Sequence, residues 1–207
     1  GLAGLPSQCL APDGRLLRGT AQRRAGSRVA AAERRLTLLH RLDHFPDALL
    51  DCDVSTLHAH LPGPTLFDLP GREGAPLFVS VLLHGNESTG FDAVCALLRR
   101  YRARPLPRPL LLFVGNVAAA KAGVRTLPSQ CDYNRAWPGT RSPGTAEARL
   151  MQAVFDAVAG RRPFASIDIH NNTGLNPHYA CVNRLDERWF HLARLFSRTV
   201  VYFTEPV

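Results

Sequence analysis

The stretch VLLHGNESTG, residues 81–90, decides the fold because it joins the end of an apolar strand to the start of a helix. The preceding PLFVSVLL, residues 76–83, has the length and the β-branched content of a buried strand. The chain then turns through a Gly-Asn pair, with His84 and Glu87 at the rim of the turn. Apolar strands usually end in turn-forming residues, whereas these two side chains can bind metal ions. The stretch therefore predicts a chemical site at the end of a strand.

Strands and helices alternate along the rest of the chain. Beyond the strand at 76–84, strands are predicted at 109–116, 163–170, 178–183 and 199–205, and helices at 88–102, 117–122, 145–160 and 186–197. This alternation indicates an α/β fold, a three-layer α/β/α arrangement with a mostly parallel (mixed) central sheet.

Three further segments are less regular. Residues 49–61 alternate enough to predict one or two early strands, and the Pro- and Gly-rich residues 61–76 predict turns. Residues 123–144 form an irregular stretch that is too long for a plain connector. We therefore expect this long loop to contribute to function.

The composition predicts one folded domain behind a basic extension. The 207 residues are 45% hydrophobic, which is enough for one sizeable core. Residues 1–41 hold eight arginines against two acidic residues, whereas residues 42–207 hold 17 basic and 15 acidic side chains. We assign residues 1–41 to a flexible N-terminal extension and residues 42–207 to the folded domain. A transit peptide is the alternative interpretation of the Arg-rich segment.

Charge, apolar runs and cysteines limit the partners and the compartment. A basic face with interleaved aromatic residues is lacking, so we expect no nucleic-acid partner; binding through the basic extension remains a competing hypothesis that deletion of residues 1–41 would test. No apolar run approaches the ~20 residues of a membrane-spanning helix, so no membrane partner is predicted.

The five cysteines never form a C-x-x-C pair, which favours reduced thiols in the cytoplasm. Nothing in the sequence predicts an oligomeric state.

Three metal-capable residues lie at the ends of two predicted strands. His84 and Glu87 follow the strand at 76–84, and His170 ends the strand at 163–170. Because carboxyl ends of parallel strands share one edge of an open sheet, the three side chains could converge. Two histidines and a carboxylate, with a position left for water, form a catalytic rather than a structural zinc site.

Spacing alone is a weak signal for such a site. The pairs His40/Asp43 and His44/Asp47 are spaced as well as His84 and Glu87, but no predicted strand holds them. We assign these two pairs to the solvated surface.

Four motifs occur in order along the chain: HGNE at 84–87, GNVAAAKAGVR at 115–125, DYNRAWPG at 132–139 and SIDIHNNTG at 166–174. In this order and spacing they resemble the zinc metallocarboxypeptidase superfamily, and more closely its succinylglutamate desuccinylase/aspartoacylase branch. The resemblance covers roughly residues 42–207. It implies a zinc-carboxypeptidase-like fold and one Zn²⁺ per chain.

The resemblance also implies roles for individual residues. It carries over His84, Glu87 and His170 as zinc ligands, Arg125 as the arginine that stabilises the oxyanion, Asn134 and Arg135 as the pair that grips a substrate carboxylate, and Asp132 as the acid that orients a zinc histidine. A guanidinium offers fixed donors for a planar carboxylate, which suits these arginine roles.

Other residues near the motifs have more open interpretations. Asp168 is interpreted as structural, although it lies on the same strand face as His170 if the strand is regular. Trp137 either walls a substrate pocket or packs under the loop. The residues after His170, Asn171, Asn172 and Thr173, are interpreted as fixing its loop.

The chain departs from the family pattern at the general base. The family carries this glutamate in a T-x-E-x-G segment on a later strand, and the 207 residues contain no such segment. We interpret Glu205 as a non-catalytic loop residue that precedes the base. We therefore expect the C-terminal part of the domain to be encoded downstream of Val207.

Together these features predict a zinc-dependent hydrolase that cleaves an amide bond adjacent to a carboxylate, either an N-acyl amino acid deacylase or a carboxypeptidase. Zinc-activated water would attack the carbonyl, and the substrate would be an N-acyl amino acid or a peptide with a free carboxylate. The alternative is a non-catalytic or truncated member of the same fold, which binds zinc or a carboxylate ligand without turnover.

Overall fold

The described part of the protein belongs to one folded unit. The computed structural model describes residues 38–139, 144–172 and 174–204, all of which lie in the unit Thr37–Val207. Residues 1–37 of the predicted extension therefore lie outside the described residues. The expected boundary after residue 41 falls inside a strand, because His40 and Arg41 pair with Thr65 and Leu66.

A five-stranded mixed sheet forms the centre of this unit. Its strands are β1 (His40–Leu42), β2 (Thr65–Leu69), β3 (Leu77–Val81), β4 (Leu110–Val114) and β5 (Ala165–Asp168), in the order β1-β2-β4-β3-β5. Only the β2–β4 pair is antiparallel among these neighbours, and the other three pairs are parallel. The mostly parallel, mixed sheet predicted from the sequence is thus confirmed. Two more strands, β6 (Ala180–Val182) and β7 (Val200–Tyr202), form a separate parallel pair.

In the described part of the chain, five α-helices lie between the strands. They are α1 (Asp47–Leu50), α2 (Thr89–Arg100), α3 (Val117–Ala122), α4 (Ala146–Gly160) and α5 (Glu187–Phe196), and short 3-10 helices span Val54–Ala59 and Tyr133–Arg135. Side-chain caps start several of them. The Thr145 hydroxyl accepts the Ala148 N–H at 3.1 Å before α4, and Asn116 accepts the Ala119 N–H at 3.1 Å before α3.

Strand β4 separates two apolar layers. Leu112 and Val114 pack into one core cluster with Phe91 and Val94 of α2. Phe113, on the opposite face, packs into a second cluster with residues of α4. Because successive side chains of a strand point to opposite faces, the wholly apolar LLLFV of β4 fills both layers. This places helices on both faces of the sheet, as expected for a three-layer α/β/α fold.

The early part of the domain differs from its prediction. Within residues 49–61, Leu49 and Leu50 end α1, and Val54–Ala59 form a 3-10 helix whose first turn is capped by the Asp53 carboxylate. Leu57 and Leu61 are both buried and four residues apart, which is a helical spacing. The strands predicted here are wrong, because these leucines follow the helical period and not the two-residue period of a strand.

The turn prediction for residues 61–76 is also wrong at its centre. The segment TLFDL between Pro64 and Pro70 forms β2, in which Thr65, Leu66 and Phe67 are buried. The two prolines lie outside the strand, so neither removes an N–H from its ladder.

None of the helices in the described ranges combines the length and the apolar character needed to cross a membrane.

Candidate metal centre

The backbone kinks directly after β3, at Leu82, two residues before His84. Leu82 has a positive φ of 54°, which residues other than glycine rarely adopt. Its carbonyl accepts the Asn116 N–H at 2.6 Å, and the Val81 carbonyl accepts the Gly115 N–H at 3.0 Å. The end of β4 therefore holds this kink in place directly before His84.

Gly85 lets the following turn approach helix α3. A Cβ on Gly85 would overlap backbone atoms of Ala119 and Ala120, so only glycine fits against this part of α3. The Gly85 N–H donates to the Arg125 carbonyl at 3.0 Å, which ties the turn to the start of the long loop. His84 and Glu87 are 2% and 7% exposed, so the turn holds both side chains in a buried position.

Three metal-capable side chains meet at the sheet edge. His84 Nδ1 lies 2.7 Å from Glu87 Oε1, and His170 Nδ1 lies 2.7 Å from Glu87 Oε2. The two imidazole rings are 4.9 Å apart at their centroids. One ligand atom from each of the three residues lies within 4.8 Å of the other two, which is close enough to share one metal ion. The parallel pairing of β3 with β5 brings the two segments together.

Asp132 and Arg125, both from the long loop, reach the same cluster. His84 Nε2 lies 3.0 Å from Asp132 Oδ1, and this oxygen also accepts the Asn134 N–H at 2.8 Å. The Arg125 guanidinium donates to Glu87 Oε1 at 3.4 Å and to Asp132 Oδ2 at 3.2 Å. The loop therefore places one carboxylate and one cation beside the three candidate ligands.

His170 has a second carboxylate at its other ring nitrogen. Its Nε2 lies 2.8 Å from Asp168 Oδ2, and the other oxygen of Asp168 accepts the Ser80 hydroxyl at 2.8 Å. Asp168, predicted from the sequence to be structural, thus contacts a candidate ligand, and Ser80, for which nothing was predicted, contacts Asp168. The D-x-H spacing was the available signal, because residues two apart in a strand share a face.

These contacts shift the pKa values of the cluster in opposite directions. Burial raises the pKa of Glu87, but hydrogen bonds from His170 and His84 outweigh it and lower that pKa to about 2. Burial lowers the pKa of His170, but hydrogen bonds with Asp168 and Glu87 raise it to about 10. Burial raises the pKa of Asp132, and bonds from Asn134, His84 and Arg125 bring it below its usual value. The metal-free cluster therefore holds ionised carboxylates and a protonated His170 at neutral pH.

The predicted carboxylate-binding pair lies two and three residues after Asp132. Asn134 and Arg135 belong to the 3-10 helix Tyr133–Arg135, with Asn134 partly buried and Arg135 exposed. The structure thus places both on the segment that contacts His84 through Asp132. Trp137 packs edge-on against Phe78 at 6.4 Å between ring centroids, which favours packing under the loop over lining a pocket.

The residues after His170 bond to Glu87 as well as to their own loop. The Asn171 N–H donates to Glu87 Oε2 at 3.2 Å, and the Asn172 amide donates to the Tyr179 hydroxyl at 3.0 Å. The Asn171 Oδ1 atom is buried and has no hydrogen-bond partner among the residues that the structure describes. Thr173 and Glu205, which also carried predictions, lie outside the described residues.

A His-Glu-His cluster, with His84 and Glu87 buried and His170 partly exposed, lies at the edge of a mixed sheet and defines the class as an α/β domain with a candidate metal centre. Residues 73–205 match the family model of the succinylglutamate desuccinylase/aspartoacylase catalytic domain. The chain therefore belongs to the succinylglutamate desuccinylase/aspartoacylase family, and the resemblance stated from the four motifs is confirmed.

Solved structures of similar fold come from the same group of enzymes. The crystal structure of the succinylglutamate desuccinylase from Chromobacterium violaceum is 24% identical, covers 66% of this chain and 47% of its own, and superimposes with a TM-score of 0.51. That of the succinylglutamate desuccinylase from Vibrio parahaemolyticus is 17% identical, covers 54% of this chain and 40% of its own, with a TM-score of 0.45. The chain thus spans less than half the length of either protein. No curated protein matches the chain significantly.

The tight approach of Gly85 to α3 predicts a large cost for a side chain there. We expect Gly85→Ala to lower the free energy of unfolding by about 1–3 kcal/mol or more, because the added carbon meets backbone that cannot move aside easily. Gly160→Ala is the matched control, since a Cβ at the end of α4 meets open space. Urea unfolding of both variants measures the difference. Equal stabilities of the two variants would show that the approach is not tight.

The raised pKa of His170 predicts that the metal-free protein loses stability with rising pH. The folded state keeps the His170 proton up to a pKa of about 10, whereas the unfolded chain loses it near 6.5. The stabilisation is therefore complete below 6.5 and declines as pH rises toward 10, by at most about 1.4 kcal/mol per pH unit. Urea midpoints in chelator at pH 6.5, 7.5 and 8.5 measure it, below the range in which Cys95, with its pKa raised by burial to about 11, contributes.

The control for this pH dependence is His170→Gln, which keeps a polar side chain but cannot titrate. Its stability should change less over the same pH range. A pH dependence as steep as that of the unmodified protein would assign the effect to another group.

Proposed function

We propose that this chain forms the zinc-binding part of a hydrolase that cleaves an amide bond adjacent to a carboxylate. The observation that carries the proposal is the convergence of His84, Glu87 and His170, whose ligand atoms lie within 4.8 Å of one another. Substrates of this class are N-acyl amino acids or peptides with a free carboxylate. Membership of the succinylglutamate desuccinylase/aspartoacylase family supports this choice of reaction.

The donor set fits zinc. Two imidazoles and one carboxylate form the three-ligand set of catalytic zinc sites. Both imidazoles turn Nδ1 toward the Glu87 carboxylate, and both have a carboxylate at Nε2. Histidine ligands are commonly held in this way, by a hydrogen bond from the nitrogen that does not face the metal. Zn²⁺ in such a site lowers the pKa of bound water toward ~7 and polarises a carbonyl group.

Arg125 is suited to stabilise negative charge that develops on the substrate. Its guanidinium lies beside the cluster, and its side chain is 51% exposed, so it can also reach a ligand from the solvent side. A cation aimed at the carbonyl oxygen lowers the energy of the transition state for amide cleavage. The contacts of Arg125 with Glu87 and Asp132 orient the guanidinium toward the site before any substrate binds.

Asn134 and Arg135 are proposed to hold the substrate's carboxylate. The carboxylate of Asp132 fixes the backbone at Asn134, and Asp132 is itself bonded to His84. An exposed guanidinium can grip a carboxylate with two parallel hydrogen bonds. This arrangement would set the distance between the substrate's carboxylate and the bond that is cleaved.

Zinc content provides the first test of the proposal. We expect about one zinc per chain after dialysis, because the three residues form one ligand set. His84→Ala and His170→Ala should each abolish it, whereas His60→Ala, at an exposed position, should keep it. Elemental analysis measures the ratio. Zinc contents equal to that of the unmodified protein in both site variants would rule out this centre.

Kinetics and binding distinguish the two arginines. With an active N-acyl amino acid or peptide, Arg125→Ala should lower kcat by about 10²- to 10³-fold, the usual effect of losing one such donor. Arg135→Ala should mainly raise KM, because it removes binding rather than transition-state stabilisation. Arg102→Ala, which breaks an exposed ion pair with Asp47, is the control. An unchanged KM for Arg135→Ala on every active substrate would contradict its role.

A second candidate is a member of the family that binds zinc and a carboxylate ligand without turnover, which the same ligand cluster would also support. This candidate predicts the same zinc content but no hydrolysis that a chelator abolishes. Calorimetric titration with N-acyl amino acids then still tests Arg135, since its replacement should weaken binding. A screen of acyl amino acids and short peptides, with and without chelator, separates the two candidates.

A further inference from the structure

Each candidate histidine ligand has a carboxylate at both of its ring nitrogens. His84 contacts Glu87 through Nδ1 and Asp132 through Nε2, at 2.7 and 3.0 Å. His170 contacts Glu87 through Nδ1 and Asp168 through Nε2, at 2.7 and 2.8 Å. The two imidazoles are therefore held in equivalent ways, although the family resemblance implied only one orienting acid, Asp132.

Asp168 is itself fixed across the sheet. Ser80 and Asp168 are directly paired residues of β3 and β5, and the Ser80 hydroxyl donates to Asp168 Oδ1 at 2.8 Å. Ser80 is 1% exposed, so water does not compete for this hydroxyl. The Ile169 N–H also donates to the Ser80 carbonyl at 3.0 Å, which continues the strand pairing toward His170. A continuous chain of contacts thus runs from the buried strand β3 to the imidazole.

We propose that Asp168 is a positioning residue for His170 and that Ser80 fixes the carboxylate that does so. A carboxylate at Nε2 keeps the proton on that nitrogen, so Nδ1 is the nitrogen that would give up its proton and offer its lone pair to a metal bound beside Glu87. It also fixes the rotation of the ring and makes Nδ1 a more basic ligand for a metal. This inference rests on the proposed zinc centre, because the role has meaning only if His170 binds a metal.

A purely structural role for Asp168 predicts different results. In that role the Ser80–Asp168 bond would stabilise the end of β5, and its loss would weaken the fold without changing the affinity of the folded protein for metal. The orienting role instead predicts a loss of metal affinity and a changed environment of one imidazole. Measurements on the folded protein can therefore separate the two roles.

The experiment measures zinc affinity by competition with a chromophoric chelator. Asp168→Asn keeps the size of the side chain but removes its charge, and we expect its dissociation constant for zinc to rise by roughly 10- to 100-fold, the usual effect of losing such a partner. Ser80→Ala keeps the carboxylate but removes its anchor, and should cause a smaller rise. Asp156→Asn is the control, because this exposed carboxylate of α4 bonds to Gln152 of the same helix.

A second measurement observes the imidazole itself. In ¹H–¹⁵N correlation spectra of the zinc-loaded protein, the proton on His170 Nε2 should appear far downfield because this N–H donates to a carboxylate. Asp168→Asn should move this signal upfield and leave the His84 signal in place. A role limited to the stability of β5 would leave both signals unchanged in the folded protein.

The outcomes separate this proposal from the zinc centre on which it rests. If the unmodified chain binds no zinc, the proposed function fails, and this inference fails with it. If the unmodified chain binds zinc but Asp168→Asn and Ser80→Ala bind it equally tightly, only the positioning role is overturned. If Asp168→Asn does not fold, Ser80→Ala decides: weaker zinc binding with a shifted His170 signal supports the role, and unchanged values overturn it.

Discussion

The candidate site depends on one shared carboxylate. Glu87 places one oxygen on His84 and the other on His170, so a single buried side chain joins two segments of the chain that are distant in sequence. A buried carboxylate is costly unless it is paired and hydrogen-bonded, and here two imidazoles, the Arg125 guanidinium and the Asn171 N–H all contribute. The contacts that offset the cost of burying Glu87 also preassemble the ligand set.

The surrounding fold serves this arrangement through two separate supports. On one side, the turn at Gly85 rests against α3 and is tied to the Arg125 carbonyl. On the other side, the parallel pairing of β3 and β5 brings His170 to the same sheet edge. Asp132 links the long loop to His84, so the segment that carries Asn134 and Arg135 is held by the centre that it would serve.

The elements with strong periodicity could be predicted from the sequence. Strands β3 and β4 and helices α2 and α4 have apolar patterns and capping residues that locate them to within a few positions. The convergence of His84 and His170 also followed, because parallel strands end at one edge. Strand β2 was missed because its flanking prolines resemble turn signals, although neither interrupts the strand. The Ser80–Asp168 contact could not be predicted, since it depends on the register between β3 and β5, which no local pattern specifies.

Leu82 faces two demands that no single residue satisfies. Its backbone, at a φ of 54°, favours glycine, and a left-handed L-residue costs roughly 1–2 kcal/mol. Its side chain is completely buried in the main apolar cluster, where glycine would leave a void. Replacing Leu82 by glycine would relieve the backbone but empty part of the core. A substitution that relaxes the kink therefore requires the neighbouring core to be refilled at the same time. Leu82, two residues before His84, thus supports the geometry of the candidate site from within the core.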